Sequence, residues 1–533
     1  MFLDDLTWWK KPLSYLGRTF LITALVSQLP ASAQAAAVWT GYAGDDQHTA
    51  ISSVASQPLT NILWQTPVDL APQYSGNDLL IHYGSPLVTQ GDTVIIPVKT
   101  GATNGFKVEA RSGTDGSLLW SQTTDYTLPV PSASWVPSYS PTLSNTGNRL
   151  YFAGSGGTIY YRDNPDSATP GATGQLAFYD IANYTANKAA YDNNVFINTP
   201  ITADKAGNIY FGYQVNQSSS QIGNLQGGIA KIDANGNGTF IAASSLVSGM
   251  NKAATNAAPA LSADGSKLYV AVNNGFNGRI VQLDTSNLSF VSSTGNLPAV
   301  IDEASASPTV GPDGDVYFGT NNGYHGRGVL NHFSADLSTT KTPASFGWDD
   351  TASIVPASMV ASYHGSSSYL LMIKYNNYAQ LGGGGINKLA IVDPNDTQTD
   401  PVTGQPVMKE VLTIAGVTPD EEFTNFYPNA VREWCINSAV VDPATDSILA
   451  NSEDGRLYRW DLGTNTFTQS VTLTPGVGEA YTPTVIGANG EVFAINNATL
   501  FAIGAPEPGR VGLSLLGAAL ILGVRRRKLG DAN

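Results

Sequence analysis

Two sequence marks that recur along the chain constrain its fold more than any other feature. The first is a small residue followed by Pro, and it precedes an apolar strand, a turn with glycine and a strand that carries Tyr or Phe. Its eight copies lie at Pro86, Pro141, Pro200, Pro259, Pro308, Pro356, Ala439 (in the Pro position) and Pro483. The second is an apolar run ending at Ser112, Asp180, Asp233, Asp284, Ser334, Asp393 and Asp461. Two marks in register predict a repeat protein.

Each repeat has the pattern of a four-stranded sheet. The seventh repeat is the clearest, with short apolar or aromatic runs separated by turn residues at Ser438–Val441, Ser447–Asn451, Arg456–Asp461 and Thr466–Leu473. From Pro86 to Pro356, successive marker prolines lie 48 to 59 residues apart, which is typical of a β-propeller. The last repeat stops at Ile503 after three strands, and Asn61–Val68 can supply the fourth. The sequence therefore predicts an all-β, eight-bladed propeller, or seven blades if the sixth repeat is misassigned.

Three segments resemble the quinoprotein (PQQ)-like β-propeller superfamily. Ala110–Trp120 and Trp64 resemble the ends of its repeats, where an apolar strand, a turn with glycine and a Trp strand follow one another. Trp39–Ser52 is similar to the segment that precedes the first blade. The resemblance covers roughly Trp39 to Ile503 and implies the fold. It implies no single function, because the superfamily contains dehydrogenases as well as non-catalytic scaffold and binding proteins.

The N-terminus has the pattern of a secretory signal peptide. Basic residues in Met1–Arg18 precede the apolar run Thr19–Leu29 and the small residues of Ala31–Ala35. An uncleaved anchor is the alternative. We expect a signal peptide at 1–35, a lead-in segment at 36–60, the propeller at 61–504 and a sorting signal at 505–533.

The C-terminus carries a three-part motif, in which an apolar run at 511–524 separates two short polar elements. These elements are Pro506, Glu507 and Pro508 before the run and Arg525, Arg526, Arg527 and Lys528 after it. The motif resembles the PEP-CTERM sorting signal. This implies transient insertion of a short transmembrane helix in the inner membrane and cleavage near Pro506 by an exosortase-type protease. Release or attachment at the surface of a Gram-negative cell would follow. A tail anchor that is never cut is the alternative.

The charge and cysteine content of the chain limit which partners and cross-links we expect. The chain has a formal net charge of −15, and 36–505 carries 19 basic and 38 acidic residues. Such an acidic body disfavours nucleic acid as a partner. Cys435 is the one cysteine, so no intramolecular disulfide can form, and we expect it to be a small buried residue. We expect a monomer.

The loops that join each outer strand to the next inner strand gather on one face of a propeller, around the channel mouth. Two of these loops, Thr418–Asn437 and the one containing Pro343–Asp350, combine aromatic and charged residues. We predict a polar and aromatic pocket there, lined by Trp135, Trp348, Phe426, Tyr427, Arg432, Glu433 and Trp434. The alternative is that the aromatic residues fill gaps between blades and the charges are solvated.

The sequence offers one candidate cofactor, calcium, and argues against a quinone. Calcium is a candidate at Asp393, Asn395, Asp396 and Asp400, where oxygen ligands crowd together, although Asp and Asn are also ordinary turn residues. PQQ is not expected, because a single cysteine cannot form the vicinal disulfide that many quinoprotein dehydrogenases place against it. The sequence also lacks the G-x-S-x-G, H-E-x-x-H and P-loop motifs.

These observations favour an exported cell-surface or extracellular propeller that acts as a binding or scaffold module. Exopolysaccharide, another component of the surface matrix or another polar molecule is the expected ligand. The alternative is a periplasmic or surface enzyme, of the dehydrogenase or polysaccharide-cleaving kind, with its site at the channel mouth.

Overall fold

The computed structural model describes residues 38–506, apart from residues 77, 80, 130–137, 303–305 and 323–325. The predicted signal peptide, the apolar run at 511–524 and all sorting residues after Pro506 lie outside this range. Within it, no helix is long and apolar enough to cross a membrane.

The strands form eight antiparallel sheets in chain order, which are the blades of a propeller. The strands of blades 1 and 2 are Leu87–Val88, Thr93–Lys99, Phe106–Ser112 and Leu118–Thr124, then Thr142–Leu143, Arg149–Ala153, Thr158–Asp163 and Thr173–Ala177. Those of blade 3 are Val195–Ile197, Thr202–Ala203, Ile209–Val215, Gly228–Ile232 and Gly238–Ala242. Those of blade 4 are Lys252–Ala253, Ala260–Leu261, Lys267–Asn273, Gly278–Asp284 and Phe290–Ser293. The predicted eight-bladed fold is confirmed.

The second half of the ring is less regular. Blade 5 has the strands Thr309–Val310, Val316–Thr320 and Val329–Phe333, and isolated bridges to Thr340 and Ala344 stand in for a fourth. The strands of blades 6 and 7 are Ser353–Pro356, Tyr369–Tyr375, Lys388–Thr399 and Pro406–Ala415, then Val440–Asp442, Ser447–Asn451, Arg456–Asp461 and Thr466–Thr472. Outside the blades, the described chain includes a hairpin, Tyr74–Ser75 with Asp78–Leu79, and the helices Ile181–Ala186 (α1), Lys188–Asn194 (α2) and Ala243–Leu246 (α3).

Blade 8 closes the ring by combining the two ends of the described chain. Val485–Ile486, Val492–Asn496 and Thr499–Gly504 form its first three strands, and Asn61–Pro67 pairs antiparallel with the last of them. This is the closure that the sequence predicts. It removes a free sheet edge and joins both ends of the propeller in one sheet.

The first mark of the repeat is a contact between neighbouring blades. Thr309 donates its hydroxyl hydrogen bond to the carbonyl oxygen of Ala352 at 3.0 Å, and Ser353 donates to the carbonyl of Ala439 at 2.6 Å. Ala352 is therefore the counterpart of the marker Pro in blade 6, and the assignment of Pro356 to that position was wrong. The position tolerates Pro or Ala because its carbonyl, and not its side chain, makes the contact.

The second mark closes the turn between the third and outer strands. Asp233 Oδ1 accepts the backbone N–H of Asn235 at 2.9 Å, which is the usual role of Asp in such a turn. In blade 2 the third strand ends at Asp163, so the assignment of Asp180 was wrong. Asp180 follows the outer strand of that blade, and its carboxylate accepts the N–H of Ala182 to cap helix α1.

The segment before the first blade runs along the central channel. Its backbone carbonyls accept hydrogen bonds from the inner strands of six blades. The carbonyls of Trp39, Thr40 and Asp46 accept from the N–H groups of Val88, Leu143 and Leu261, respectively. The carbonyls of Gln47, Thr49 and Ala50 accept from those of Val310, Ile354 and Val441, and all six distances lie between 2.7 and 3.0 Å. A short segment that contacts six blades in turn must lie inside the ring.

Side chains of the same segment fill the space near the channel axis. Trp39 and His48 are each 1% exposed, and His48 Nδ1 lies 2.7 Å from the carbonyl oxygen of Pro308 in blade 5. Tyr42 donates its hydroxyl hydrogen bond to Asn437 of blade 7 at 2.5 Å. The segment therefore ties the blades together from within.

Candidate functional site

The predicted site residues near blade 7 have unlike environments. Trp434 is 1% exposed and packs against Tyr458 and Phe467, with ring centroids 5.6 and 5.7 Å away. Phe426 is 80% exposed, and Tyr427, beside it in the same loop, is half-buried. The structure therefore places Trp434 in the core between strands, where a surface ligand does not reach its ring.

The remaining predicted aromatic residues do not extend this group. Trp348 is half-buried and packs against the core of blade 6. Trp135 lies outside the described residues. The burial of Trp434 removes its ring from a shared aromatic pocket, and a pocket lined by the other predicted residues stays a prediction. The two charged members, Arg432 and Glu433, both contact Glu453.

Arg432 is the centre of a carboxylate cluster on the loop face. Its Nη1 lies 3.4 Å from Asp420 Oδ1, 3.5 Å from Glu422 Oε1 and 3.4 Å from Glu453 Oε1. Glu453 Oε2 also accepts the backbone N–H of Glu433 at 2.9 Å. The loop between blades 6 and 7 is thus fastened to the turn between the second and third strands of blade 7.

A groove of about 380 Å³ opens beside Arg432, and we call it the loop-face groove. It lies between the loop that precedes blade 7 and the loop that follows it. Its lining residues are Thr418, Pro419, Glu421, Arg432, Asp454, Arg456, Thr472, Thr474, Pro475, Gly476 and Val477. Asp454 accepts hydrogen bonds from the Thr418 hydroxyl and the Arg456 N–H, which holds the floor of the groove in place. Arg456 and Thr472 are exposed, so their polar groups are available to a ligand.

Further carboxylates and the cysteine lie between this groove and the channel. One side-chain ligand atom each from Glu433, Cys435 and Glu453 lies within 4.8 Å of the others, so these three residues could hold a metal ion. Burial, followed by the charge of Glu453, raises the pKa of Glu433 well above its usual range, and burial raises the pKa of Glu453 to about 7. The Cys435 thiol is buried, donates to the Tyr481 hydroxyl at 3.3 Å and has a pKa that burial raises well above its usual range.

Side chains from blades 1, 6 and 8 meet at the channel mouth. The rings of His82 and Tyr481 stack with centroids 3.9 Å apart, and His82 Nδ1 lies 3.7 Å from Asp349 Oδ2. Blades 1 and 6 are not neighbours, so this last contact crosses the channel. Lys374 lies 5.8 Å from the centre of the Tyr481 ring and is 1% exposed.

Dehydrogenases with a quinoprotein-type propeller hold a quinone cofactor at the channel mouth, so the residues at this place can be compared with what a quinone requires. Here His82, Tyr481 and Asp349 already contact one another at that place and are largely or fully buried. A flat cofactor would need to separate the stacked rings. The residues at the mouth therefore do not fit a quinone, and no step of a mechanism is derived through one.

Buried carboxyl groups at the mouth predict an unusual pH dependence of stability. Burial raises the pKa of Asp350 to about 8, and the pKa of Glu453 is also raised. The folded protein therefore holds protons that the unfolded chain releases, so the free energy of unfolding falls as the pH rises from about 5 to about 8. We expect Tm to be higher at pH 5.5 than at pH 8 in thermal melts, and Asp350→Asn to flatten this slope.

The matched control for this prediction is Asp264→Asn. Asp264 is an exposed turn carboxylate whose pKa is lowered to about 2 by hydrogen bonds from Ser262 and Ser266. It is ionised in both states over this pH range, so the variant should keep the slope of the wild type. A wild-type Tm that rises steadily from pH 5.5 to pH 8 would contradict the prediction.

The candidate calcium residues lie on a bent hairpin and not in a single turn. Asp393, Asn395 and Asp396 belong to the strand Lys388–Thr399, whose register shifts between Asp393 and Thr397. Asp396 pairs with Lys409 at 2.7 Å. These three residues therefore lie in a bulged strand and not in a single turn, and a calcium site there stays a prediction.

The fourth calcium candidate, Asp400, forms a buried ion pair. Asp400 is 1% exposed and its Oδ2 lies 2.8 Å from Arg327 Nη2 of blade 5. Asp400 also accepts the Thr403 hydroxyl at 2.8 Å. Among the described His, Cys, Asp and Glu residues, these aspartates do not form a group of three that could share a metal ion.

Sequence reasoning missed several residues of the loop face. Glu453, Asp454 and Arg456 lie in a short Asp-Gly turn that reads as an ordinary hairpin connection. His82 and Lys374 lie far apart in the chain, and no local pattern connects them. The high density of acidic residues in Thr418–Asn437 was the one signal that pointed to the right place.

No protein-family model and no curated protein matches the sequence. Solved structures do match. A europium-containing methanol dehydrogenase superposes with a TM-score of 0.51 at 9% identity, over 86% of this chain and 90% of that one. The Dos1 propeller gives 0.50 at 11% identity, over 84% and 95%. BamB from Moraxella catarrhalis gives 0.42 at 13% identity, over 83% and 98%.

At these identities the likeness shows the fold and not the activity. The chain and the two structures with the higher TM-scores share the propeller over most of their lengths. Together with the eight sheets and the closing strand, the comparison identifies the domain as a quinoprotein-like, eight-bladed β-propeller.

Proposed function

We propose that this protein is an exported binding module that holds a neutral oligosaccharide segment in the loop-face groove. The groove itself is the observation that carries the proposal. Its volume of about 380 Å³ lies within the range of about 300–1,000 Å³ that is usual for small-ligand sites. Threonine hydroxyls donate and accept hydrogen bonds, guanidinium groups donate and carboxylates accept, and this mixture matches the hydroxyl groups of a sugar ring.

Charge favours a neutral ligand over an anionic one. The chain carries a formal net charge of −15, and Arg432 in the groove is already surrounded by three carboxylates. An anionic polysaccharide would be repelled by this field. Arg456, which is exposed and forms no ion pair with another described residue, is the donor most available to ligand hydroxyls.

The test measures binding of neutral hexasaccharides by titration calorimetry, with an anionic hexasaccharide for comparison. We expect Arg456→Ala and Thr474→Ala each to weaken the affinity roughly fivefold, because a hydrogen bond contributes about 1 kcal/mol. Lys205→Ala is the matched control, since Lys205 is an exposed cation on blade 3 and far from the groove in the ring. Equal affinity of all variants, or a preference for the anionic ligand, would contradict the proposal.

The proposed place of action is outside the inner membrane, on the basis of the two terminal sequence signals. The signal-peptide pattern at 1–35 supports export, and the Pro-Glu-Pro motif with its basic end supports sorting by an exosortase-type protease. We expect a mature species that begins near Ala36, ends near Pro506 and is found outside the cell, measured by intact mass and cell fractionation. A species that retains 511–528 in the inner membrane would overturn the sorting proposal.

A further inference from the structure

Two carboxylates meet where the ring closes. Asp92 lies in the turn between the first and second strands of blade 1, and Glu491 lies in the corresponding turn of blade 8. These blades are the first and the last of the ring. The contact therefore lies at the seam, on the side of the propeller opposite the outer-to-inner loops.

Gly487 shows how closely the two carboxylates approach. A Cβ atom placed on this glycine would lie 3.1 Å from Glu491 Oε2 and 3.4 Å from Asp92 Oδ1. Both oxygen atoms thus border the same small space, and a side chain at position 487 would occupy it. The nearest atom to that Cβ position is Phe493 Cε2, at 2.7 Å, so the ring of Phe493 forms one wall of the space.

Neither of these two oxygen atoms has a donor in good hydrogen-bond geometry among the residues that the structure describes, although Asn489, the Ala488 N–H and Thr114 lie close enough to the Asp92 carboxylate to lower its pKa. Glu491 is only 4% exposed, so water does not replace the missing donor freely. No described Lys or Arg forms an ion pair with either residue. A buried carboxylate oxygen without a partner is costly, and two that border one space are more so.

The electrostatics of the seam agree with this geometry. Burial raises the pKa of Asp92 to about 6, and the charge of Glu491 is the next largest cause. Asp92 also has a backbone φ of 62°, which is an uncommon conformation for a residue other than glycine.

We propose that a calcium ion binds between Asp92 and Glu491 and bridges the first and last blades. Calcium prefers carboxylate and other oxygen ligands, and one divalent ion would balance the two charges. Two carboxylates completed by water make a weak site, with a dissociation constant on the order of 10⁻⁴–10⁻³ M, as in extracellular calcium-binding modules. This site is separate from the loop-face groove and does not depend on the proposed ligand.

The first test measures the melting temperature of the purified protein at pH 7.5 and constant ionic strength. We expect about 5 mM calcium to raise Tm by roughly 1–2 °C over the value in chelator, because an ion that binds only the folded state stabilises it. Glu491→Gln should abolish this response. Its Tm in chelator should be no lower than that of the wild type, since the repulsion with Asp92 is gone.

Asp264→Asn is the matched control for this experiment, because Asp264 is an exposed carboxylate in the same turn of blade 4. This variant should keep the calcium response of the wild type. A wild-type Tm that is equal in calcium and in chelator would overturn the proposal. A calcium response that persists in Glu491→Gln would also overturn it.

A second readout reports on the place of binding. Trp64 Nε1 donates to the carbonyl oxygen of Gly113 at 2.6 Å, and a Cβ on Gly113 would lie 2.4 Å from Asp92 Oδ2. Trp64 is therefore close enough to sensitise the luminescence of terbium, a probe for calcium sites. We expect calcium to displace the signal, Trp64→Phe to reduce it and Glu491→Gln to remove it. A full signal in Glu491→Gln would contradict the assignment.

Discussion

Deleting residues 39–52 is expected to prevent the propeller from folding to a stable ring. The deletion removes the carbonyl partners of six inner-strand N–H groups, and each buried group left without a partner costs about 1–3 kcal/mol. It also removes the buried Trp39, Tyr42 and His48 from the channel. The combined loss is comparable with the whole stability of a typical domain, about 5–15 kcal/mol.

The measurement is a comparison of circular dichroism, thermal melting and protease resistance with a control chain that begins at Val38 and keeps the segment. The control should melt in one cooperative transition, and the deletion should not. Trp39→Ala is a milder variant, with an expected loss of about 3–5 kcal/mol. A deletion protein that melts like the control would show that the blades do not need the segment.

Breaking the buried ion pair between blades 5 and 6 should produce the largest effect of a single charge change. Arg327 and Asp400 side chains are 2% and 1% exposed and lie 2.8 Å apart, and Arg327 also donates to the Tyr375 hydroxyl. Asp400→Asn removes the negative charge that faces the buried Arg327 guanidinium. We expect a loss of about 3–5 kcal/mol in chemical denaturation.

Asp396→Asn is a matched control from the same hairpin. The Asp396 side chain is 50% exposed and pairs with Lys409, so its loss should cost less than about 1 kcal/mol. If Asp400 acts only through Arg327, the loss of unfolding free energy in each variant, relative to the wild type, should be the same in calcium and in chelator. Equal losses in the two variants would contradict the account of the buried pair.

The blade architecture was predictable because local sequence patterns specify it. Short strands and turn residues define each sheet, and the boundaries predicted for blade 7 differ from the observed ones by no more than two residues. The errors arose where a mark depends on backbone contacts alone. Ala352 takes the place of a marker Pro because only its carbonyl is used, so its side chain gave no signal.

The candidate site was less predictable because it depends on contacts between distant parts of the chain. Trp434 looked like a surface aromatic residue in a polar loop, yet Tyr458 and Phe467 enclose it. Arg432 was predicted, but its partner Glu453 follows the next inner strands and has no marker of its own. The approach of His82 to Asp349 across the channel follows from ring closure and from no local pattern.

Hydrogen–deuterium exchange with and without a bound neutral hexasaccharide tests the central claim most directly, since it maps the ligand on the whole ring. Binding in the loop-face groove predicts slower exchange in three segments, 418–432, 454–456 and 472–477. The inner strands and the seam around Asp92 should be unchanged. Protection confined to other blades, or no protection at a saturating ligand concentration, would contradict the assignment of this groove as the binding site.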